Sequence, residues 1–193
     1  MKTYQEGVLA ALTDGENFDA VWEIYDLYPE REDFVFHIAA GFVRDLEKGV
    51  LAAKCGQTLL ATIVSSNDDV GVYLYSPQWN DGDLICFGVE FSKKDGRWYS
   101  GIWFDKKKLR DAADDLKVKA ARLLPDSDGY KTDDGDDWLR YKVLGEFDGR
   151  DDVCRLLPPN RGSTVEEYAA ELWDIATKCS ATVDKWLDGV KKK

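Results

Sequence analysis

The stretch that decides the fold runs from Asp83 to Asp105 and reads DLICFGVEFSKKDGRWYSGIWFD. Two aromatic-rich segments flank Asp95-Gly96, a dipeptide typical of tight hairpin turns. A two-residue turn at this dipeptide predicts that Lys94 pairs with Arg97 and that Gly88 faces Trp103. We therefore predict an antiparallel hairpin at the centre of a sheet.

The two faces of this predicted hairpin differ in chemistry, because side chains alternate across a strand. The first face is apolar, and we predict that it forms part of the hydrophobic core: Ile85, Phe87, Val89, Phe91, Trp98, Ile102 and Phe104. The second face is mixed: Leu84, Cys86, Gly88, Glu90, Tyr99, Gly101 and Trp103. Two interpretations stay open for the second face. Helices cover it, or its aromatic side chains are exposed and bind a partner, as exposed aromatic patches often do.

Hydrophobic periodicity predicts the remaining elements. A period of two predicts a four-stranded meander over 58–104 and a fifth strand over 138–147. Helical spacing predicts helices in an N-terminal part over 1–56, a middle helix over 106–124, and a long C-terminal helix that starts near Ser163. We predict a single domain over 1–193 of the α+β class, in which helices pack on a mostly antiparallel four- to five-stranded sheet.

Composition excludes several function classes. The chain has 193 residues and a net charge of −11, which argues against a direct nucleic-acid binder or an anionic membrane surface as partner. Four scattered cysteines and one histidine do not form a zinc motif, and no glycine-rich phosphate loop is present. The N-terminus lacks a signal-peptide core, and no apolar run reaches the about 20 residues that span a bilayer. We expect a cytoplasmic protein with reduced thiols, no cofactor and no metal.

Glu90 and Lys93 suggest one alternative. The run LICFGVEF at 84–91, followed by WYSGI at 98–102, resembles the C-terminal part of phage and bacterial PD-(D/E)xK nuclease-like proteins. The resemblance spans about residues 80–190 and implies an acid and a Glu-x-Lys pair that hold Mg²⁺ on one sheet face. Here the spacing is three, which puts the two side chains on opposite faces unless a bulge intervenes. The alternative function is therefore a degenerate or divergent metal-dependent nuclease-like enzyme, without assigned catalytic residues.

The segment 126–152 is the charge anomaly of the chain, with ten acidic and four basic residues. Its first part, 126–137, is a polar loop rich in Asp and Gly. The loop lacks the alternating oxygen ligands and the closing Glu of an EF-hand, so we interpret it as solvated, with cation binding left open.

Together these features predict an acidic, soluble, non-enzymatic protein that inhibits or neutralises a protein partner. Phage anti-defence proteins, DNA mimics, immunity proteins and antitoxins work in this way. A row of carboxylates can imitate phosphate spacing, so the partner surface would be basic, such as a nucleic-acid-binding site. The predicted binding residues combine acids with aromatic anchors: Asp133, Asp134, Asp136, Asp137, Trp138, Tyr99 and Trp103. Simple solubility is the competing explanation for the charge.

Overall fold

The computed structural model describes residues 22, 31–53, 59–79, 84–105, 107, 113–132, 138–147, 149–158 and 160–190. The helices are α1 (Arg31–Ala52), α2 (Ala113–Leu123), α3 (Arg150–Cys154) and α4 (Gly162–Val190). The strands are β1 (Leu60–Ser65), β2 (Asp69–Tyr75), β3 (Ile85–Ser92), β4 (Arg97–Phe104) and β5 (Trp138–Glu146). Most of the predicted helices before residue 31, and most of 106–112, lie outside the described residues.

The five strands form one antiparallel sheet in the order β1-β2-β3-β4-β5, which confirms the predicted α+β class. Each strand hydrogen-bonds to its neighbour in the chain, as a meander requires. The β4–β5 ladder has register shifts after Trp98 and after Ile102, and such irregularities bend a strand and increase its twist.

The two-residue turn predicted for the central hairpin is wrong. Ser92 pairs with Arg97, so Lys93–Gly96 form a four-residue turn, and Gly88 faces Gly101. The Gly96 backbone N–H donates to the Ser92 carbonyl at 3.0 Å and closes this turn, and the Lys93 backbone N–H donates to the Asp68 carbonyl at 2.7 Å, in the β1–β2 turn. The register moves by two residues, and because side chains alternate with a period of two, each keeps its predicted face.

The described helices α1, α2 and α4 lie against the apolar face of the sheet. On α1, Phe42 meets Trp98 with ring centroids 5.2 Å apart. On α4, Tyr168 lies 5.5 Å from the same ring, and on α2 the Lys117 ammonium lies 5.8 Å from the centre of the Phe104 ring. This layering buries the predicted core face of β3 and β4.

Arg140 of β5 is the most buried charged side chain of the described residues. Its guanidinium donates to the Leu124 carbonyl at 2.7 and 3.1 Å, to the Tyr130 carbonyl at 3.0 Å and to Thr132 Oγ1 at 2.9 Å. A contact of 2.6 Å to the exposed Asp126 carboxylate completes the set. Arg140 thereby ties the segment after α2 to β5.

Candidate functional site

The second face of the sheet is the candidate site, and we call it the open face. It lies opposite α1, α2 and α4, and its described members alternate with the core residues: Leu60, Thr62, Val64, Gly71, Tyr73, Tyr75, Cys86, Gly88, Glu90, Tyr99, Gly101, Trp103, Trp138, Tyr141 and Val143. Its centre is buried, whereas Tyr75, Tyr99, Trp103 and Tyr141 around the centre are only half-buried. Within the described part of the chain, the three helices that contact the sheet leave the aromatic side chains around this centre partly exposed.

Two glycines lie side by side at the centre of the open face. Gly88 and Gly101 pair directly across β3 and β4. A methyl group on Gly88 would lie 2.5 Å from Tyr73 Cε1 and 3.2 Å from Trp138 Cη2. The Tyr73 and Trp138 rings therefore occupy the space above Gly88, and Trp138 reaches there from β5 across the bare backbone of β4. The predicted register placed Trp103 opposite Gly88. That prediction is wrong, because Gly88 faces Gly101 in the structure.

Gly101 is required for a different reason. A methyl group there would lie 2.0 Å from the Arg140 carbonyl oxygen and 2.9 Å from Tyr141 Cα, both backbone atoms of β5. The two strands approach closely at this point, between the two register shifts of their ladder. Only glycine allows that approach, which sets the position of Tyr141 and Trp138 on the open face.

Tyr73 and Glu90 form the polar centre of the open face. The Tyr73 hydroxyl donates to the Glu90 carboxylate. Burial and the Glu90 charge raise the pKa of Tyr73 well above its ordinary value, and they likewise raise the pKa of the Cys86 thiol. Both groups therefore stay protonated at neutral pH, and Cys86 is not an activated nucleophile.

The proposed nuclease pair is separated in the fold. Glu90 accepts from Tyr73 on the open face, whereas the Lys93 ammonium pairs with Asp33 in the first turn of α1, on the other side of the sheet. Over the described ranges, with their gaps, no three His, Cys, Asp or Glu side chains come together as a metal site would require.

The Tyr73–Glu90 bond gives a titration that can be measured. In the Glu90→Gln variant we expect the pKa of Tyr73 to fall toward its ordinary value and to remain raised, because burial, the largest cause, persists. Since the raised pKa belongs to the folded state, Tyr73 lowers the free energy of unfolding as the pH rises above 10.0, and the variant should show less of this loss.

NMR of protein labelled at tyrosine Cζ would follow this titration, with Tyr73→Phe to assign the signal. An unchanged Tyr73 midpoint in Glu90→Gln would contradict the assigned hydrogen bond.

A second group of aromatic side chains lies at the β4–β5 end of the open face. Trp103 pairs with Trp138 across the two strands, and Tyr99 meets Tyr141 edge to face with centroids 5.7 Å apart. The Tyr99 hydroxyl donates to Asp95 in the turn. This end of the face therefore combines apolar ring surface with hydroxyl groups, a combination common in protein interfaces.

Ionic side chains also lie on the open face. Arg97 pairs with Glu146 at 2.7 Å across β4 and β5. The Asp95 and Glu90 carboxylates accept hydrogen bonds from the Tyr99 and Tyr73 hydroxyl groups. Four of the five residues before Trp138 in the chain are aspartates.

The structure brings three of the predicted binding residues together: Tyr99, Trp103 and Trp138 share the open face on neighbouring strands. The predicted residues Asp133, Asp134, Asp136 and Asp137 lie outside the described residues. Sequence reasoning missed Tyr73 and Tyr141 as members of the face. For Tyr73 the signal was available, since strand alternation in DVGVYLY (69–75) places it there once the strand neighbours are known. Tyr141 lies three residues after Trp138, and the two share a face because of the register shift between Ile102 and Trp103, which alternation does not predict.

No protein-family model, curated protein or solved structure matches the chain. Within the part of the chain that the structure describes, no helix has the length and apolar character needed to cross a bilayer. A proposal about function therefore depends on the chemistry of the open face.

Proposed function

We propose that the protein is a non-enzymatic binding protein that covers a basic surface of a protein partner and thereby inhibits it. The observation that carries this proposal is the position of Trp103 and Trp138, side by side on the open face, with aspartates at four of the five positions before Trp138 in the sequence. Tryptophan and tyrosine supply most of the binding energy in many interfaces. An aromatic cluster that follows these aspartates in the chain fits a partner that presents an apolar pocket within a basic surface.

The charge of the chain supports the same partner. A net charge of −11 attracts basic surfaces over long range and speeds their encounter with the protein. On the described part of the open face, the Arg97 guanidinium is already paired with the Glu146 carboxylate. A nucleic-acid-binding site of an enzyme has the complementary charge, and occupation of that site would block the enzyme. Phage anti-defence proteins, immunity proteins and antitoxins act by such blocking.

The nuclease-like alternative has less support. It needs an acid and a lysine on one face around a metal ion. Glu90 and Lys93 are held on opposite sides of the sheet by Tyr73 and Asp33, and both pairs would have to break first. The raised pKa values of Tyr73 and Cys86 leave neither as a nucleophile near neutral pH.

The double variant Trp103→Ala/Trp138→Ala tests the proposal. Affinity capture at low salt from the native cell extract would first identify a partner, which is then purified for titration calorimetry. Loss of two aromatic anchors should cost about 2 kcal/mol or more, a roughly 30-fold weaker affinity. Binding should also weaken as salt is added, since screening reduces the charge attraction.

The control is Leu51→Ala/Val118→Ala, which removes two exposed apolar side chains from α1 and α2. This control should bind as tightly as the wild type. Duplex DNA should displace the protein from a partner that binds nucleic acid. The proposal fails if the tryptophan variant binds normally, or if the protein cuts plasmid DNA with Mg²⁺ and Glu90→Ala abolishes the cutting.

A further inference from the structure

β1 is the outer strand at one end of the sheet, and its exposure differs from that of its neighbour. Among the described residues, β1 pairs only with β2. The interior of β2 is buried, whereas Leu60 and Val64 of β1 are 42% and 50% exposed. They are two of the four large apolar side chains that the described residues leave exposed. The outer edge of β1 therefore presents backbone N–H and C=O groups beside exposed apolar side chains.

The opposite end of the sheet is protected. Lys131 lies along the outside of β5, and its backbone exchanges two hydrogen bonds with Tyr141, at 2.7 and 2.9 Å. This short bridge covers the middle of β5, and the charged Lys131 side chain stands at its edge. This bridge prevents another strand from pairing with the middle of β5. Among the described residues, no equivalent segment pairs with the outer edge of β1.

The chemistry of β1 also lacks the usual protection of an edge strand. Natural proteins block free edges with charged residues, proline or bulges. Residues 55–67 contain no charged residue and no proline, and they form the longest uncharged run of a chain in which one residue in three is charged. The β1–β2 register is continuous from Leu60 to Ser65, without a bulge.

We propose that β1 pairs with β1 of a second copy of this chain, in antiparallel orientation, to give one continuous ten-stranded sheet. A two-fold interface needs a surface that is complementary to itself. β1 meets this condition, because Leu60 and Val64 lie on the same face at equal distances from Thr62. When Thr62 faces its own symmetry mate, each Leu60 faces a Val64, and both exposed apolar pairs become covered.

Charge selects a second copy over a charged peptide as the occupant. The uncharged β1 edge gives no electrostatic preference to a charged partner. Two chains of net charge −11 that meet along this edge bring no carboxylate of β1 into contact. The interface is short, since six paired residues span about 20 Å, so dimers form only at high protein concentration. Salt should increase the dimer fraction because it screens the repulsion between the two acidic chains.

Sedimentation velocity from micromolar to millimolar concentration tests this association. The wild-type mass should rise from 21.8 kDa toward twice that value, and more readily at high salt. Val64→Lys should stay monomeric over the same range, because it places a charge at the interface. The matched control is Val118→Lys, which adds the same charge at a valine of similar exposure on α2 and should dimerise like the wild type.

Thr62→Cys tests the register. Under mild oxidation it should form a covalent dimer through residue 62, identified by mass spectrometry of the linked peptide, whereas Val118→Cys should not. A wild-type protein that stays monomeric at all concentrations overturns the proposal, as does equal dimerisation of Val64→Lys and the wild type. A monomer that instead binds a peptide along β1 also overturns it. Salt distinguishes dimerisation from binding of the proposed basic partner. Added salt should increase the dimer fraction, whereas it should weaken binding of the basic partner.

Discussion

Replacement of Trp98 with alanine should lower the free energy of unfolding by about 3–5 kcal/mol, the range typical of large aromatic truncations in a core. Trp98 is fully buried and is the centre of an aromatic cluster. Its ring centroid lies 5.2 Å from Phe42, 5.4 Å from Phe91 and 5.5 Å from Tyr168. These rings come from α1, β3 and α4, so the cavity would loosen the contact of both long helices with the sheet.

Two matched variants test whether the loss of stability comes from the lost ring contacts of the core. Trp98 Nε1 has no hydrogen-bond partner within the described part of the chain, so Trp98→Phe keeps most of the ring volume and removes a buried unpaired N–H. We expect that change to cost much less than the alanine change, since the loss of contact is partly offset. Trp103→Ala, at a half-buried ring of the open face, should also cost less.

Urea unfolding followed by circular dichroism would measure these differences. A loss below about 1 kcal/mol for Trp98→Ala would show that the cluster is not the core of the fold.

Replacement of Arg140 with alanine should lower the free energy of unfolding by about 2–4 kcal/mol, because it leaves buried carbonyl groups without donors. The Leu124 and Tyr130 carbonyls accept from the guanidinium at 2.7 and 3.0 Å. The ion pair with Asp126 adds little to this value, since that carboxylate is 88% exposed and screened by water. The cost therefore arises from the buried hydrogen bonds.

Arg140→Lys should recover only part of the lost stability, since an ammonium group cannot reproduce the planar fork of donors. Arg122→Ala, which removes an exposed arginine at the end of α2, is the control and should change stability by less than about 0.5 kcal/mol. Amide hydrogen exchange gives an independent measure, since Lys131 and Tyr141 should lose protection first in Arg140→Ala. Uniform loss of protection over the whole sheet would contradict a local role for Arg140.

Most strands of the sheet could be predicted, because the alternation of apolar and polar residues that indicates a strand is a local sequence pattern. Alternation along 84–92 and 97–104 assigns every side chain to a face, whatever the turn between them. The register could not be predicted in the same way. The Asp95-Gly96 dipeptide predicts a two-residue turn, whereas the observed turn has four residues and is closed by a hydrogen bond from the Gly96 N–H to the Ser92 carbonyl.

The candidate site was predicted in part for the same reason. Tyr99, Trp103 and Trp138 could be identified by residue type and strand position. The cover of Gly88 by Tyr73 and Trp138 could not, because it depends on the order of four strands and on the close approach of Gly101 to β5.

The stretch from Asp83 to Asp105 by itself determined an antiparallel hairpin with one apolar face and one mixed face. The period of two along a strand survives any shift of register by two residues. Tertiary structure alone decided that α1, α2 and α4 lie on the apolar face and that the aromatic side chains of three strands meet on the other. It also decided that Glu90 faces Tyr73 and that Lys93 faces Asp33. These contacts join residues far apart in the chain, and their geometry exists only after the strands and helices have packed.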